Sequence, residues 1–252
     1  MPSYIGHITC AHELIKKLKL NEEDKTKFII GTLLPDIKQV DIDLNIDEFI
    51  NKNRIQKSKR ITHFRKNTNF ILEYPHCRLF LEKYEKETKE HIETLAYFFH
   101  LYTDYYYFKY FLPTVISFYT KDLEEIEEKD NLYYVKINKN NKLLKARTFF
   151  SKLNEQSLYK EYYRSNYYLI NKYNLKIDIE HLREYLKNNN FNCYVEEINM
   201  NKIQDVFNKI DRINKYQKQE ELLIFEEKKL DKFVKDVVSS FCEKYNYILD
   251  NF

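Results

Sequence analysis

Three of the seven histidines of this 252-residue chain stand in local contexts that suit a metal ion. His7 lies in the opening segment, His63 in Ile-Thr-His-Phe, and His100 in His-Leu-Tyr-Thr-Asp, which also supplies Asp104. Asp36 ends a Gly-X-X-X-Pro-Asp turn. Imidazole and carboxylate together suit borderline divalent ions, zinc first, with manganese or iron as alternatives. His100 and Asp104 are four residues apart, so on a helix they share one face, one turn from each other. A lone carboxylate on so aromatic a helix is expensive to bury, and a bound cation removes that cost. Five candidates, His7, Asp36, His63, His100 and Asp104, exceed what one tetrahedral zinc needs. Two ions sharing a carboxylate would use them all and could clamp a phosphate between them.

The elements that must position these residues are helical. Both glycines and all four prolines fall at or before Pro113, and the 139 residues that follow contain neither. Helix is then the default wherever a 3.6-residue pattern exists. The spacing predicts helices over about Ile5–Leu18 and Glu22–Leu34, the second stopped by Pro35 so that Asp36 sits on a turn. Short helices are expected over Phe64–Leu72 and Pro75–Tyr84, and a long central one over Glu90–Leu112. Asp41–Glu48 reads as a surface loop or short turn. Further helices are expected over Leu158–Tyr173, Ile179–Leu186, Ile198–Ile213 and Leu230–Tyr245, the last with one apolar stripe from Leu230 through Phe241. Tyr133, Val135 and Ile137 alternate before Asn138-Lys-Asn-Asn and Leu143-Leu144, which signals a small β-hairpin within 132–144. The expected fold class is all-α, a multi-helix bundle. Residues 1–190 would form the metal-hydrolase-like part, and 191–252 a helical extension packed on it within one compact domain.

Composition narrows the function classes. With 43% hydrophobic and 32% charged residues, the composition suits a globular chain, and the net charge of +3 is too small by itself to argue for nucleic acid or an anionic membrane. The 23 tyrosines invite a base-stacking reading, but Tyr105, Tyr106, Tyr107 and Tyr110 run around a helix rather than along one face. Leu95–Tyr119 is apolar enough to suggest a membrane span, yet His100, Asp104 and Lys109 inside it favour a buried, ligand-bearing helix. Four scattered cysteines without Cys-X-X-Cys read as small apolar thiols. The N-terminus shows no secretory pattern, so the expected location is the cytoplasm. No Gly-rich phosphate loop, no Gly-X-Ser-X-Gly elbow and no adjacent His-Asp pair is present. Glu73 and His76 have di-iron spacing, but Pro75 intervenes and no second copy exists.

Four fragments carry a family resemblance: Ile-Gly-His7, Phe28-Ile-Ile-Gly-Thr-Leu-Leu-Pro-Asp36, Arg60-Ile-Thr-His63-Phe, and Ala96-Tyr-Phe-Phe-His100-Leu-Tyr-Thr-Asp104. In this order they resemble the zinc-dependent phospholipase C family, which shares its fold with zinc-dependent single-strand nucleases. The resemblance spans roughly residues 1–113. It implies an all-helical phosphodiesterase in which Asp36, His63, His100 and Asp104 hold one zinc. Asp104 would bridge to a second zinc, also bound by His7. The family's third zinc uses a further His and a His-X-X-X-Glu pair. After Asp104 this chain has only His181, so one or two ions are expected. Asp36 could double as general base. Arg60, Arg65, Tyr105 and Tyr106 lie near the ligands in sequence and are candidates for contacting an anionic substrate, a small phosphate ester or phosphodiester. The rival expectation, from another class, is a helical binding or scaffold protein that keeps a structural metal.

Overall fold

A computed structural model describes residues 3–37, 60–66, 69–189, 191–216 and 218–252. The chain is mainly helical, with one small antiparallel sheet. Helix α1 spans Tyr4–Leu18 and α2 spans Glu22–Leu33. A 3-10 turn over Leu34–Asp36 follows directly. Then come α3 (Cys77–Glu90) and α4 (Ile92–Tyr106), succeeded by a π-helical turn at Tyr107–Phe111 and a 3-10 turn at Leu112–Thr114. Strands β1 (Ile116–Tyr119), β2 (Tyr134–Ile137) and β3 (Lys142–Lys145) precede a single helical turn, α5 (Ala146–Phe149). The chain ends with α6 (Leu158–Lys172), α7 (Ile179–Asn188), α8 (Ile203–Tyr216), α9 (Glu227–Lys244) and the short α10 (Asn246–Leu249).

Local chemistry explains the helix ends. Ser3 caps α1 by accepting from Gly6 N, and Asn21 caps α2 by accepting from Asp24 N. Glu22, Glu23 and Asp24 fill the first turn of α2, where the helix dipole favours negative charge. Lys19 closes α1 in the left-handed region at φ 55°.

Helix α4 is the axis of the molecule. Every residue from Ile92 to Asp104 is buried, as expected of a helix apolar on all sides. α1, α2, α3 and α9 all pack on it. On the α9 side Phe99 meets Phe241 at 4.8 Å between ring centroids, and the Tyr102 hydroxyl pairs with Ser240. On the α3 side the Phe80 and Tyr97 rings stack at 5.2 Å. α2 comes closest. A Cβ on Gly31 would stand 2.3 Å from the carbonyl oxygen of Glu93 and 2.9 Å from Ala96 Cβ, so only glycine permits this helix crossing.

The sheet is a meander in the order β1-β2-β3. Val135 pairs with Phe118 on one side and Leu144 on the other, and all three face inward. The expected hairpin is therefore present, turning through Asn141 at φ 56°. β1 was not foreseen; Pro113 and the π turn end the helical run, and Ile116 and Phe118 pair with Ile137 and Val135 of β2 while Phe118 O also accepts from Ile126 N.

A second departure concerns the short helix expected over Phe64–Leu72. Residues 60–62 are helical and the helix ends there, with Phe64 at φ 49°. Phe64 N and Arg65 N donate back to Ile61 O and Arg60 O, the bonds that finish a helix rather than begin one. Phe70 instead bridges to Glu128 in strand fashion. The expected element over Asp41–Glu48 lies outside the described residues.

The C-terminal part is tied back by a buried carboxylate. Glu161 on α6 accepts from the backbone N–H groups of Leu223, Ile224 and Phe225. All four cysteines are free thiols. Among the described residues no helix is long and apolar enough to cross a membrane.

The helix crossing at Gly31 yields a prediction. Gly31→Ala must push α2 off α4, and overpacking of this kind costs about 1–3 kcal/mol. Urea unfolding should show a loss of that size. A stability equal to wild type would mean that α2 and α4 do not approach so closely.

Candidate metal centre

His7, Asp36, His63, His100 and Asp104 come from four separate segments and meet in one buried cluster. His7 lies in the first turn of α1, its backbone N–H on Ser3 O. Asp36 ends the 3-10 turn after α2, where Pro35 has stopped the α-helix. His63 follows the helical residues 60–62, and the left-handed Phe64 turns the chain away immediately after it. His100 and Asp104 lie one turn apart on α4. Asp36 is 5% exposed and the other four are 1% or less.

Asp104 is the hub. Its Oδ1 lies 3.3 Å from His7 Nε2, and its Oδ2 lies 3.5 Å from His63 Nε2. His63 Nε2 is also 3.8 Å from Asp36 Oδ1. The His7 and His100 rings stack at 3.7 Å and 5°, and His63 stands edge-on to His100 at 5.3 Å. Donors held by one tetrahedral zinc at about 2.0–2.2 Å sit about 3.3–3.6 Å apart; the two Asp104–histidine spacings fall in that range and the His63–Asp36 spacing of 3.8 Å lies just above it. Two triads satisfy the wider geometric condition for an ion: His63, His100 and Asp104, and His7, Asp36 and His100. The two oxygens of Asp104 face different histidines.

The donor atoms also fit by what they lack. His7 Nε2, His63 Nε2, His100 Nε2 and Asp104 Oδ1 are buried and have no hydrogen-bond partner. The contact between His7 Nε2 and Asp104 Oδ1 is a 3.3 Å polar approach. Orphaned polar atoms are rare in a core, and a cluster of them calls for an ion or a water. The tautomers agree. His100 Nδ1 lies 2.8 Å from Thr32 O, which can only accept, so the proton is on Nδ1 and Nε2 keeps its lone pair. Thr62 Oγ1 lies 3.0 Å from His63 Nδ1, which allows the same arrangement. The Tyr97 hydroxyl donates to Thr62 O and fixes that segment in turn.

Charge states follow from burial and neighbours. Desolvation, seconded by His7, lowers His100 from 6.5 to about 3. Desolvation also carries His63 well below its usual value. Burial by itself would raise Asp104, but the close contact with His7 overcomes it and holds the carboxyl well below the usual range. Neutral imidazole and ionised carboxylate are the forms a metal requires.

The substrate-contact candidates are placed differently from one another. Arg65 reaches the cluster, its Nη2 3.3 Å from Asp104 Oδ2. Arg60 pairs with Glu73 at 3.4 Å, and Glu73 also holds Lys129. Tyr105 accepts from Lys109 Nζ at 2.9 Å and packs edge-on against Tyr74. Tyr106 packs against Tyr110 and Phe233. His181 bonds Thr26 and His91 stacks on Tyr194, both away from the five. Sequence reasoning missed Thr32, Thr62 and Tyr97. Thr62 could have been suspected from its place beside His63, whereas a backbone carbonyl such as Thr32 O leaves no trace in a sequence.

Comparison of the chain with protein-family models, with characterised proteins and with solved structures gives no match.

The buried imidazoles predict a pH dependence for the metal-stripped protein. The folded value of His100 is depressed, so the stability gained by keeping it neutral is full above about pH 6.5 and is lost as pH falls toward 3. Asp104 adds a loss in the same direction below about pH 4. Each extra proton taken up on unfolding gives a slope of about 1.4 kcal/mol per pH unit. Urea unfolding between pH 7 and 4.5 should show falling stability, with a shallower slope in His100→Gln. Identical slopes in the two proteins would refute the burial of a neutral imidazole.

Proposed function

We propose that this protein is a metal-dependent hydrolase of phosphate esters or phosphodiesters, with a zinc phospholipase C-like helical arrangement and one or two ions, zinc by preference. One observation carries the reading: three histidine Nε2 atoms and a carboxylate oxygen from Asp104 are buried together without hydrogen-bond partners. The four fragments that resemble the zinc phospholipase C family contain all five residues. Ions bound there would lower the pKa of a water toward ~7 and would polarise a phosphoryl oxygen. The chain's own groups supply the rest. Asp104 offers one oxygen toward His7 and the other toward His63. Thr32 O and Thr62 hold two of the rings in orientation. Asp36 is the most exposed of the five and stands on a turn, so it is the group assigned to accept the proton of the attacking water.

A second reading keeps the ion and drops the chemistry: a helical binding or scaffold protein with a structural metal. The near-complete burial of the cluster favours it.

Metal content and turnover separate the two. Elemental analysis of untagged protein should find one or two zinc ions per chain, lost in His100→Ala. Asp36→Asn should keep its fold and lower turnover of bis(p-nitrophenyl) phosphate by about 10²–10⁴-fold. A folded protein that holds zinc but turns over no phosphodiester supports the scaffold. No metal, together with an unchanged melting temperature in His100→Ala, overturns both readings.

A further inference from the structure

One donor beside the cluster has no acceptor. Arg65 Nε is buried and unpartnered, although the same guanidinium places Nη2 on Asp104 Oδ2 at 3.3 Å. The Phe108 ring lies 5.2 Å from the guanidinium carbon. A guanidinium carries five N–H donors in a rigid fork that matches pairs of phosphate or carboxylate oxygens. Here one branch is spent on Asp104, a ring covers the group, and Nε–H is left over.

Position and charge say what that donor is for. The Arg65 side chain is 14% exposed, against 5% or less for the five cluster residues. It is therefore a cation at the rim of the cluster. With neutral imidazoles, two carboxylates against one guanidinium leave the group one unit negative. A single divalent ion makes it one unit positive, and two make it three units positive. A site of that charge, edged by an unpartnered Nε–H, matches an anionic oxygen and gives no advantage to a neutral ester or amide. A carboxylate oxygen has lone pairs for both an N–H and an ion, so the contact with Asp104 can persist when a metal binds.

We infer that Arg65 is the specificity-determining residue of this site, holding a non-bridging oxygen of an anionic phosphoryl group through its Nε–H. The assignment rests on the metal-hydrolase reading above. Arg65 binds and selects; proton transfer belongs to Asp36.

The experiment uses the full chain loaded with zinc and inorganic phosphate as the probe. Calorimetric titration compares wild type, Arg65→Gln and Arg65→Lys, with zinc per chain measured for each. The expected result is equal zinc in all three, a phosphate affinity at least tenfold weaker in Arg65→Gln, and an intermediate loss in Arg65→Lys, which keeps the charge without the fork. Wild-type affinity in a zinc-loaded Arg65→Gln overturns the inference. Loss of zinc in that variant also overturns it, because Arg65 would then be a positioning residue for the metal. A zinc-loaded wild type that binds no phosphate overturns it and leaves the metal reading standing, whereas a wild type that takes up no zinc overturns both. Should Arg65→Gln fail to fold, Arg65→Lys decides, and an unchanged phosphate affinity there refutes the role of Nε–H.

Discussion

Two carboxylates and three imidazoles buried in an aromatic bundle must be neutralised by something, and much of the structure is arranged around that need. Desolvating an ionised carboxylate costs several kcal/mol even after relaxation. Asp104 bears that cost with no exposure at all. Arg65 and His7 offset part of it, each from 3.3 Å. They do not close the account, because Asp104 Oδ1 and the facing ring nitrogens remain without hydrogen bonds. The residues best able to relieve one another are kept apart by geometry, at spacings suited to an ion between them.

That geometry is over-determined from outside. α4 can hold His100 and Asp104 at the centre because its other faces are apolar and fully covered. Gly31 lets α2 approach until Thr32 O meets His100 Nδ1. Tyr97, also on α4, anchors Thr62 and with it His63. Ser3 caps α1 and its hydroxyl bonds Asn166 on α6, so the helix bearing His7 is fixed at its first turn. The rings of His63 and His100 are thus each oriented by a contact that does not itself belong to the cluster, and the backbone carrying His7 is held by the cap of its helix.

What could be read from the sequence follows from how local each cause is. The i, i+4 pair His100 and Asp104, the stop at Pro35 and the stripe from Leu230 to Phe241 depend on near neighbours, and the helices they predict are present. The alternation around Val135 gave the hairpin for the same reason. β1 was not legible, since Ile116–Tyr119 is a strand through distant partners, β2 on one side and Glu125 and Ile126 on the other. The helix expected over Phe64–Leu72 failed at Phe64, a bulky residue in a left-handed conformation that no propensity favours. Arg60 and Arg65 looked equivalent in sequence. Only the fold separates them, sending one to Glu73 and the other to Asp104. The two triads regroup the five residues around His100, a detail of ring orientation that no spacing encodes.

Why a chain of this size would keep such a cluster is itself informative. Small domains use structural metals because their cores are too small to stabilise them unaided. This protein has a continuous core that includes Phe28, Phe80, Phe98, Phe99 and Phe241, all fully buried. A staple through its middle is not needed, and well-packed apolar side chains at the same positions would be at least as stable. A structural zinc also closes its shell with four ligands, whereas five candidates converge here in two triads that share His100. On the hydrolase proposal, these buried polar groups cost stability in exchange for chemistry. The rim cation points the same way, because a site meant only to hold an ion has no use for an unpaired donor beside it.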